Sequence, residues 1–410
     1  MIHVIAGSGV AGVTAAQAIK RADPDATVHL FSAERHPYYR RPQLWELIAG
    51  RIATEDVFFR PVSWYGQQGI ALNLGLPVAA VRPDTHEVSL SDGEVLTYDR
   101  LLIATGAQVY VPPCLGIDQE GVFTLRTLDD ALAIKAYAKT VSTGIVVGGG
   151  LLGLETARAL QAAGLDMTVV EVFPYLLPRQ LDTEGAGVLQ SILEEQKLHV
   201  VTGAVTEAVI GNGRAAGIRM QDGRTISGEL VLFSAGIRSD AALAVSAGLT
   251  VNRGIVVDDT LRSSHADVYA AGDAAEFEGT VYGIIPAAIE QARVAAANMV
   301  REEAARYHGT LPSTTLKIGE AEVTSLGECT VDSADTIALR FIDLPAHRYR
   351  KLVLRDKLPV GAILLNYHDQ LQPVTQLIQR HITIPGDTDR FLTEEIDWSN
   401  LLPSSSSRPS

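Results

Sequence analysis

Two glycine-rich strings carry the chemistry that can be read most directly from this chain. Gly7-Ser8-Gly9-Val10-Ala11-Gly12 follows an apolar strand opening at Ile2, and Gly148-Gly149-Gly150-Leu151-Leu152-Gly153 follows Ile145-Val146-Val147. Each is GxGxxG between a strand and a helix, the context in which the pattern marks a dinucleotide site. The first glycine of each, Gly7 and Gly148, permits the tight turn. The second, Gly9 and Gly150, lets backbone approach a pyrophosphate, and the third, Gly12 and Gly153, lets the helix lie close on its strand. The anion would rest at the helix N-terminus, where unpaired N–H groups and the helix dipole attract it. One such string is compatible with a plain strand-to-helix turn. Two in the same context argue for two nucleotides on one chain, and so for electron transfer between two cofactors.

An acid at the end of the next strand would choose the nucleotide. Glu171 closes Met167-Thr168-Val169-Val170-Glu171, where it can accept a ribose 2′-hydroxyl and repel a 2′-phosphate. NADH is thereby favoured over NADPH, with Arg179 nearby in sequence to soften the preference. The match is looser after the first string. The strand end carries Ser32, and the first acid is Glu34, for which a solvated loop acid competes with a ribose ligand.

The elements that must position these residues follow from periodicity and turn chemistry. Strand 2–6, helix 10–21 and strand 27–32 form the first βαβ unit. The Asp92-Gly93 pair reads as a hairpin turn, and Tyr98–Gly106 as a buried strand ending in the small residues Ala104-Thr105-Gly106. Helix 127–140, strand 145–147, helix 151–164 and strand 167–171 form the second unit, and the strand Leu230–Phe233 runs into Ala235-Gly236. Asp267–Ala271 leads into Gly272-Asp273, and a helix is expected from about Pro286 to Tyr307. Residues 315–382 read as a mostly β module with the hairpin Tyr349–Leu354/Val360–Leu365 and a closing helix near 373–380. The expected fold class is α/β, with two Rossmann-like domains and a small C-terminal α+β domain. The expected boundaries are 1–111 with 241–312, 112–240 and 313–382, followed by a partly disordered tail, 383–410, whose Pro403–Ser410 end is low in complexity.

Composition narrows the function classes. The chain has 410 residues, 47% of them hydrophobic, with 48 acidic and 34 basic residues and a net charge of −14. That charge argues against a general nucleic-acid binder and against adhesion to anionic membranes. No apolar run reaches the roughly 18 residues of a membrane span, and the strand at Ile2 leaves no space for a leader, so a cytoplasmic location is expected. The only cysteines, Cys114 and Cys329, are far apart. No disulfide framework and no metal site are expected, and neither thiol has a neighbouring activating group, so both read as buried structural residues.

Two glycine strings, the YDxLLIATG segment Tyr98–Gly106 and the AAGD segment Ala270–Asp273 together resemble the two-dinucleotide flavoprotein family of pyridine-nucleotide disulfide reductases and ferredoxin and rubredoxin reductases. The pattern covers residues 1 to about 310. The resemblance implies FAD at Gly7, Gly9 and Gly12 and NADH at Gly148, Gly150 and Gly153. It also implies that Ala104, Thr105 and Gly106 close over FAD, that Gly272 and Asp273 meet its ribityl or pyrophosphate region, and that Gly236 closes the NAD half. The FAD domain would be split around an inserted NAD domain. The helix near Pro286 would aim its N-terminus at the pyrimidine end of the flavin.

Family subtype turns on the acceptor. Disulfide reductases of the family place cysteines soon after the FAD ribose strand, and this chain has none before position 114. Arg41-Pro42-Gln43-Leu44-Trp45-Glu46 is instead similar to the RPxLxE string of NADH:rubredoxin reductases and nitrite reductase flavin parts. The segment Tyr349–Leu365 is similar to the C-terminal domain of the same branch. The resemblance implies hydride transfer from NADH to FAD and one-electron delivery to rubredoxin, with a ferredoxin as second choice. Arg41 is implied as an FAD contact, and Glu155 and Glu46 as catalytic-site acids; a helix-surface reading competes for both acids. The basic run His347–Lys357 reads as a docking patch for an acidic carrier or as the exposed face of a hairpin. The rival functions are an NADH oxidase and an electron-input subunit of a larger nitrite reductase or amino-acid dehydrogenase complex. Oligomeric state stays open.

Overall fold

The computed structural model describes residues 1–329 and 333–384, together with Phe391, Ile396 and Leu401. The tail expected to be disordered lies largely outside the described residues, and its Pro403–Ser410 end lies wholly outside them. The chain divides into two compact units: 1–110 with 126–129 and 237–310, and 111–125 with 130–236 and 311–410.

The first unit is organised by a five-stranded parallel sheet. Its order is Val268–Ala270, Arg100–Ile103, Ile2–Ala6, Thr27–Phe31, Ile70–Asn73. The strands are apolar on both faces because helices and the antiparallel layer at 78–97 share one buried core with them. Val4, Ile5, Leu30, Leu101 and Leu102 are fully buried, each removing side-chain area worth about 1.5–3 kcal/mol from water. Helix Val10–Ala22 turns Ala11, Gly12, Val13, Ala15, Ala16 and Ile19 inward, and the glycine and alanines among them bring its axis close to the sheet. Lys20 and Arg21 lie in its last turn, where the dipole favours cations. An antiparallel layer follows, Val78–Arg82, Glu87–Leu90 and Val95–Thr97, with Asp92-Gly93 in its tight turn.

The second unit repeats this plan. Its parallel sheet runs His199–Val201, Asp166–Val170, Thr143–Val147, Leu230–Phe233, Val122–Thr124, with helix Leu151–Ala162 after the central strand. The same unit holds a five-stranded antiparallel sheet, Ser313–Ile318, Ala321–Gly327, Leu358–Leu365, Arg348–Arg355 and Thr336–Asp343, and helix Leu371–Gln379. The α/β class with parallel Rossmann sheets and a C-terminal α+β module is therefore observed.

Three local expectations need correction. The helix at Pro286 spans Ile285–Val300 and stops well before Tyr307. The Asn298 side chain bonds both the N–H and the C=O of Ala305 at 3.1 and 2.9 Å, and Glu303 takes a left-handed φ of 54°. These contacts fold the chain back although residues 301–306 are good helix formers. Next, the basic run at 347–357 is not one continuous exposed face or patch, since only Lys357 among its basic residues is exposed. Its strand lies inside the C-terminal sheet, Arg350 and Lys351 are buried, and Arg355 is paired with Glu328 and Asp335 at 2.7 and 2.9 Å. Finally, Cys329 is buried but Cys114 is only half-buried, because it follows the Pro112-Pro113 stretch at the edge of a cluster rather than a strand. Burial raises the pKa of both thiols, that of Cys329 to about 11.

Candidate functional site

The first glycine turn opens into a cavity of about 430 Å³. Gly7 has a φ of 114°, and a side chain there would place Cβ 2.1 Å from the Ala104 carbonyl oxygen. Only glycine is accommodated. A Cβ on Gly12 would lie 1.8 Å from the Gly7 carbonyl oxygen, which is how closely the helix approaches the strand. Gly9 is the N-cap of Val10–Ala22 and makes no side-chain cap, so the first N–H groups of that helix face the cavity.

The cavity brings together residues from separated stretches. Gly7, Gly9, Glu34, Arg41, Ala104, Thr105, Gly106, Gly272 and Asp273 all line it. Gly12 stands just behind the wall, in the helix–strand contact. The Thr105 hydroxyl donates to the Asp240 carbonyl at 2.6 Å, and the Gly272 N–H donates to the buried Gln291 side chain at 2.8 Å. Asp273 accepts from Arg126 at 3.2 Å, and its own carbonyl accepts from Ser239 at 2.6 Å. Ala288, in helix Ile285–Val300, closes part of the wall.

Glu34 is not a solvated loop acid. Arg41 donates to one of its oxygens at 2.6 Å and the Tyr39 hydroxyl donates to the other. Tyr39 in turn accepts the backbone N–H of Leu128 at 2.9 Å. Burial raises the Tyr39 pKa, so it stays a donor. Burial opposes the Arg41 charge, yet Tyr39 and Glu34 together raise its pKa above the ordinary value. Arg41 Nε is a buried donor with no protein acceptor, which marks a place for an anionic or hydroxylated ligand. Arg126 is a second guanidinium in the wall, its pKa lowered by burial and by Arg41. Neither Arg126, which lines the cavity, nor Tyr39, which holds Glu34 there, was expected, since each comes from a stretch with no glycine motif of its own. The cradle, the helix N-terminus and two cations fit the pyrophosphate and ribose of a dinucleotide such as FAD.

The second turn has the same backbone. Gly148 has a φ of 122° and its Cβ would fall 2.2 Å from the Ser234 carbonyl oxygen; a Cβ on Gly153 would fall 2.1 Å from the Gly148 carbonyl oxygen. Gly150 caps helix Leu151–Ala162, and nothing lies within 4 Å of where its side chain would be. Glu171 is 5% exposed and accepts the Gly149 N–H at 2.5 Å and the Phe173 N–H at 2.9 Å. Its carboxylate retains lone pairs for a ribose. Beside it Val172 and Phe173 are each 53% exposed, an apolar surface of the kind a base can cover. Arg179 is exposed. Gly236 follows the strand Leu230–Phe233 with a φ of 108°. This open turn fits NADH.

Neither of the two acids given catalytic roles lines the cavity at the first turn. Glu155 is half-buried early in helix Leu151–Ala162. Glu46, in helix Leu44–Ile48, pairs with Arg51 at 3.3 Å. Among the described residues no cluster of three or more His, Cys, Asp or Glu could hold a metal ion, and no helix is long and apolar enough to cross a membrane.

Comparison with known proteins agrees with this geometry. Residues 1–298 match the pyridine nucleotide-disulphide oxidoreductase family, and residues 312–382 match the rubredoxin NAD+ reductase C-terminal domain. The chain is 34% identical over 382 residues to the NAD(P)H nitrite reductase of Bacillus subtilis (strain 168), covering 93% of this chain and 47% of that protein. It is 30% identical over 328 residues to the NADH-rubredoxin oxidoreductase of Clostridium acetobutylicum, covering 79% and 81%. The chain thus spans about half the length of several curated relatives, the nitrite reductase included. Among solved structures, putidaredoxin reductase in its covalent complex with putidaredoxin superposes with a TM-score of 0.89 at 23% identity, covering 98% of this chain and 97% of that one. At that identity the likeness is one of fold. By sequence coverage, fold and glycine-turn geometry, the chain belongs to the pyridine nucleotide-disulphide oxidoreductase family.

Proposed function

We propose that the chain is an NADH-dependent flavoprotein oxidoreductase that holds FAD at the first glycine turn, takes NADH at the second, and delivers electrons to a small iron protein. The observation that carries it is the repetition of one dinucleotide cradle in two units of one chain. FAD, when bound, supplies the conversion between a two-electron donor and one-electron steps. The residues supply binding and orientation. Gly7, Gly9 and Gly12 cradle one pyrophosphate at a helix N-terminus, with Arg41 and Arg126 compensating its charge. Ala104, Thr105, Gly106, Gly272 and Asp273 wall in the rest. Gly148, Gly150 and Gly153 cradle the other pyrophosphate, with Gly236 across the turn, and Glu171 takes the ribose and disfavours a 2′-phosphate, so NADH is preferred to NADPH. The reading assigns FAD to 1–111 and 241–312, NADH to 112–240, and a separate C-terminal domain to 313–382. Glu46 and Glu155 are assigned near the reacting groups, where replacement by glutamine should slow flavin reduction without lowering FAD content.

The acceptor proposed is rubredoxin, supported by the similarity to an NADH-rubredoxin oxidoreductase and the match of residues 312–382. A second reading, the electron-input part of a larger reductase, is supported by the half-length match to nitrite reductase. Anaerobic rapid mixing with NADH and then oxidised rubredoxin tests both. Flavin bleaching followed by fast rubredoxin reduction is the expected result. Bleaching without transfer would move the acceptor to a ferredoxin, oxygen or a missing subunit. No bleaching with NADH or NADPH would overturn the two-cofactor reading.

A further inference from the structure

Lys351 is a lysine in an interior strand of the C-terminal sheet, 2% exposed. A buried ammonium persists only where a carboxylate and hydrogen bonds compensate it. Its partner is Asp182, at 3.2 Å. The Tyr349 hydroxyl donates to the same Asp182 oxygen at 2.7 Å, and burial with that neighbour raises the Tyr349 pKa. The other Asp182 oxygen caps helix Thr183–Glu195 by accepting the Gly185 N–H at 3.0 Å.

Asp182 also ends the loop that begins at Glu171. That loop is pinned to the glycine turn twice. Glu171 accepts the Gly149 N–H, and the Leu177 N–H donates back to the Gly149 carbonyl at 3.1 Å. Leu176, Leu177 and Leu181 are fully buried, and the Gln180 N–H donates to the Leu177 carbonyl at 2.8 Å. At the far end Cys329, from the C-terminal part, lies with its sulfur 3.7 Å from the Gln180 carbonyl. A continuous set of contacts therefore runs from Lys351 through Asp182 and the loop to Gly149 and Glu171.

We propose that Lys351, through Asp182, is a positioning residue for the second nucleotide turn. The C-terminal sheet then does more than add mass: it fixes where the ribose acid and the pyrophosphate cradle stand. A binding constellation holds its geometry only when a supporting shell locks it. This inference rests on the assignment of NADH to that turn.

The test is calorimetric titration of the flavin-loaded protein with NAD+, which binds without reducing anything. Binding by the unaltered protein comes first; its absence would overturn the NADH assignment and this inference together. With binding established, Lys351→Met should weaken NAD+ by roughly two- to thirtyfold while the FAD absorbance per chain is unchanged. Lys351→Arg should restore affinity to within about twofold of the original. Lys351→Met leaves the half-buried Asp182 charge facing the more distant Arg340, at 3.9 Å, and can lower stability. The pair Lys351→Met with Asp182→Asn removes that charge and keeps an Asn cap. The expected result is that the pair recovers the thermal midpoint but not the affinity. Unchanged affinity in a folded Lys351→Met, or recovery of affinity along with stability in the pair, would overturn the inference and leave Lys351 a folding residue.

Discussion

At the Gly7 turn the acid that follows, Glu34, is held by side chains, Tyr39 and Arg41. At the Gly148 turn the acid, Glu171, is held by backbone, the N–H groups of Gly149 and Phe173. The two turns are otherwise close copies, each with a left-handed glycine against a neighbouring carbonyl and a third glycine pressed on the first. A side-chain clamp can be redrawn when a ligand arrives. Arg41 can turn its unsatisfied Nε to a phosphate or ribose oxygen in the cavity of about 430 Å³ that it lines. A backbone clamp fixes its acid before any ligand is present and adds no cation. One arrangement suits a nucleotide that stays, and the other a nucleotide that exchanges.

The comparison breaks most sharply at the third glycines. A Cβ at Gly12 or Gly153 overlaps a carbonyl oxygen by more than side-chain repacking can absorb. Gly12→Ala should yield colourless protein, and Gly153→Ala yellow protein that NADH no longer bleaches. Absorbance at the flavin band, read before and after NADH, checks both. If Gly153→Ala also came out colourless, the two turns would not be independent sites.

Glu171 comes next in size. Glu171→Gln together with Val172→Arg removes one acceptor for the 2′-hydroxyl and adds a cation for a 2′-phosphate. The ratio of NADH to NADPH kcat/KM should fall by roughly ten- to hundredfold, the worth of one charged hydrogen bond. An unchanged ratio would remove Glu171 from nucleotide choice. The mirror experiment at the first turn is Arg41→Ala. FAD should bind roughly tenfold more weakly, measured by flavin release on dilution, with the Kd for NAD+ unaltered.

These differences divide what could be read from sequence from what could not. The cradles were legible because glycine spacing is a local property, fixed by a backbone conformation that few other residues adopt. Glu171 was legible because it ends its strand. Glu34, Tyr39 and Arg126 were harder. Glu34 sits beyond the strand end, its partners Tyr39 and Arg41 come from the stretch that follows, and Arg126 reaches Asp273 from the segment before helix Leu128–Ala138. Their meeting is tertiary, and no periodicity marks it. Lys351 shows the same limit in reverse. In sequence it belonged to an apparently solvated basic run, and only the interior place of its strand buries it against Asp182.

The smallest effect expected separates the units by pH. His3 is fully buried in the central strand Ile2–Ala6, with neither ring nitrogen hydrogen-bonded. Burial lowers its pKa from 6.5 to about 4, with the N-terminal ammonium adding to the shift. The folded state therefore holds the ring neutral where the unfolded chain would protonate it. That contribution to stability is complete above about pH 6.5 and is lost as pH falls towards 4. Between about pH 7 and pH 5.5 the loss should be on the order of 1 kcal/mol. The corresponding second position of the other central strand, Thr143–Val147, is Gly144, which cannot titrate. Acid should accordingly loosen the FAD-cradling unit first, and His3→Leu should flatten the dependence. Hydrogen exchange followed by peptide mapping at the two pH values checks this, because it reads protection in strand 2–6 and strand 143–147 separately. Equal loss of protection in both strands, or a His3→Leu protein with the same pH profile, would assign the acid sensitivity to a group shared by the whole chain rather than to this imidazole.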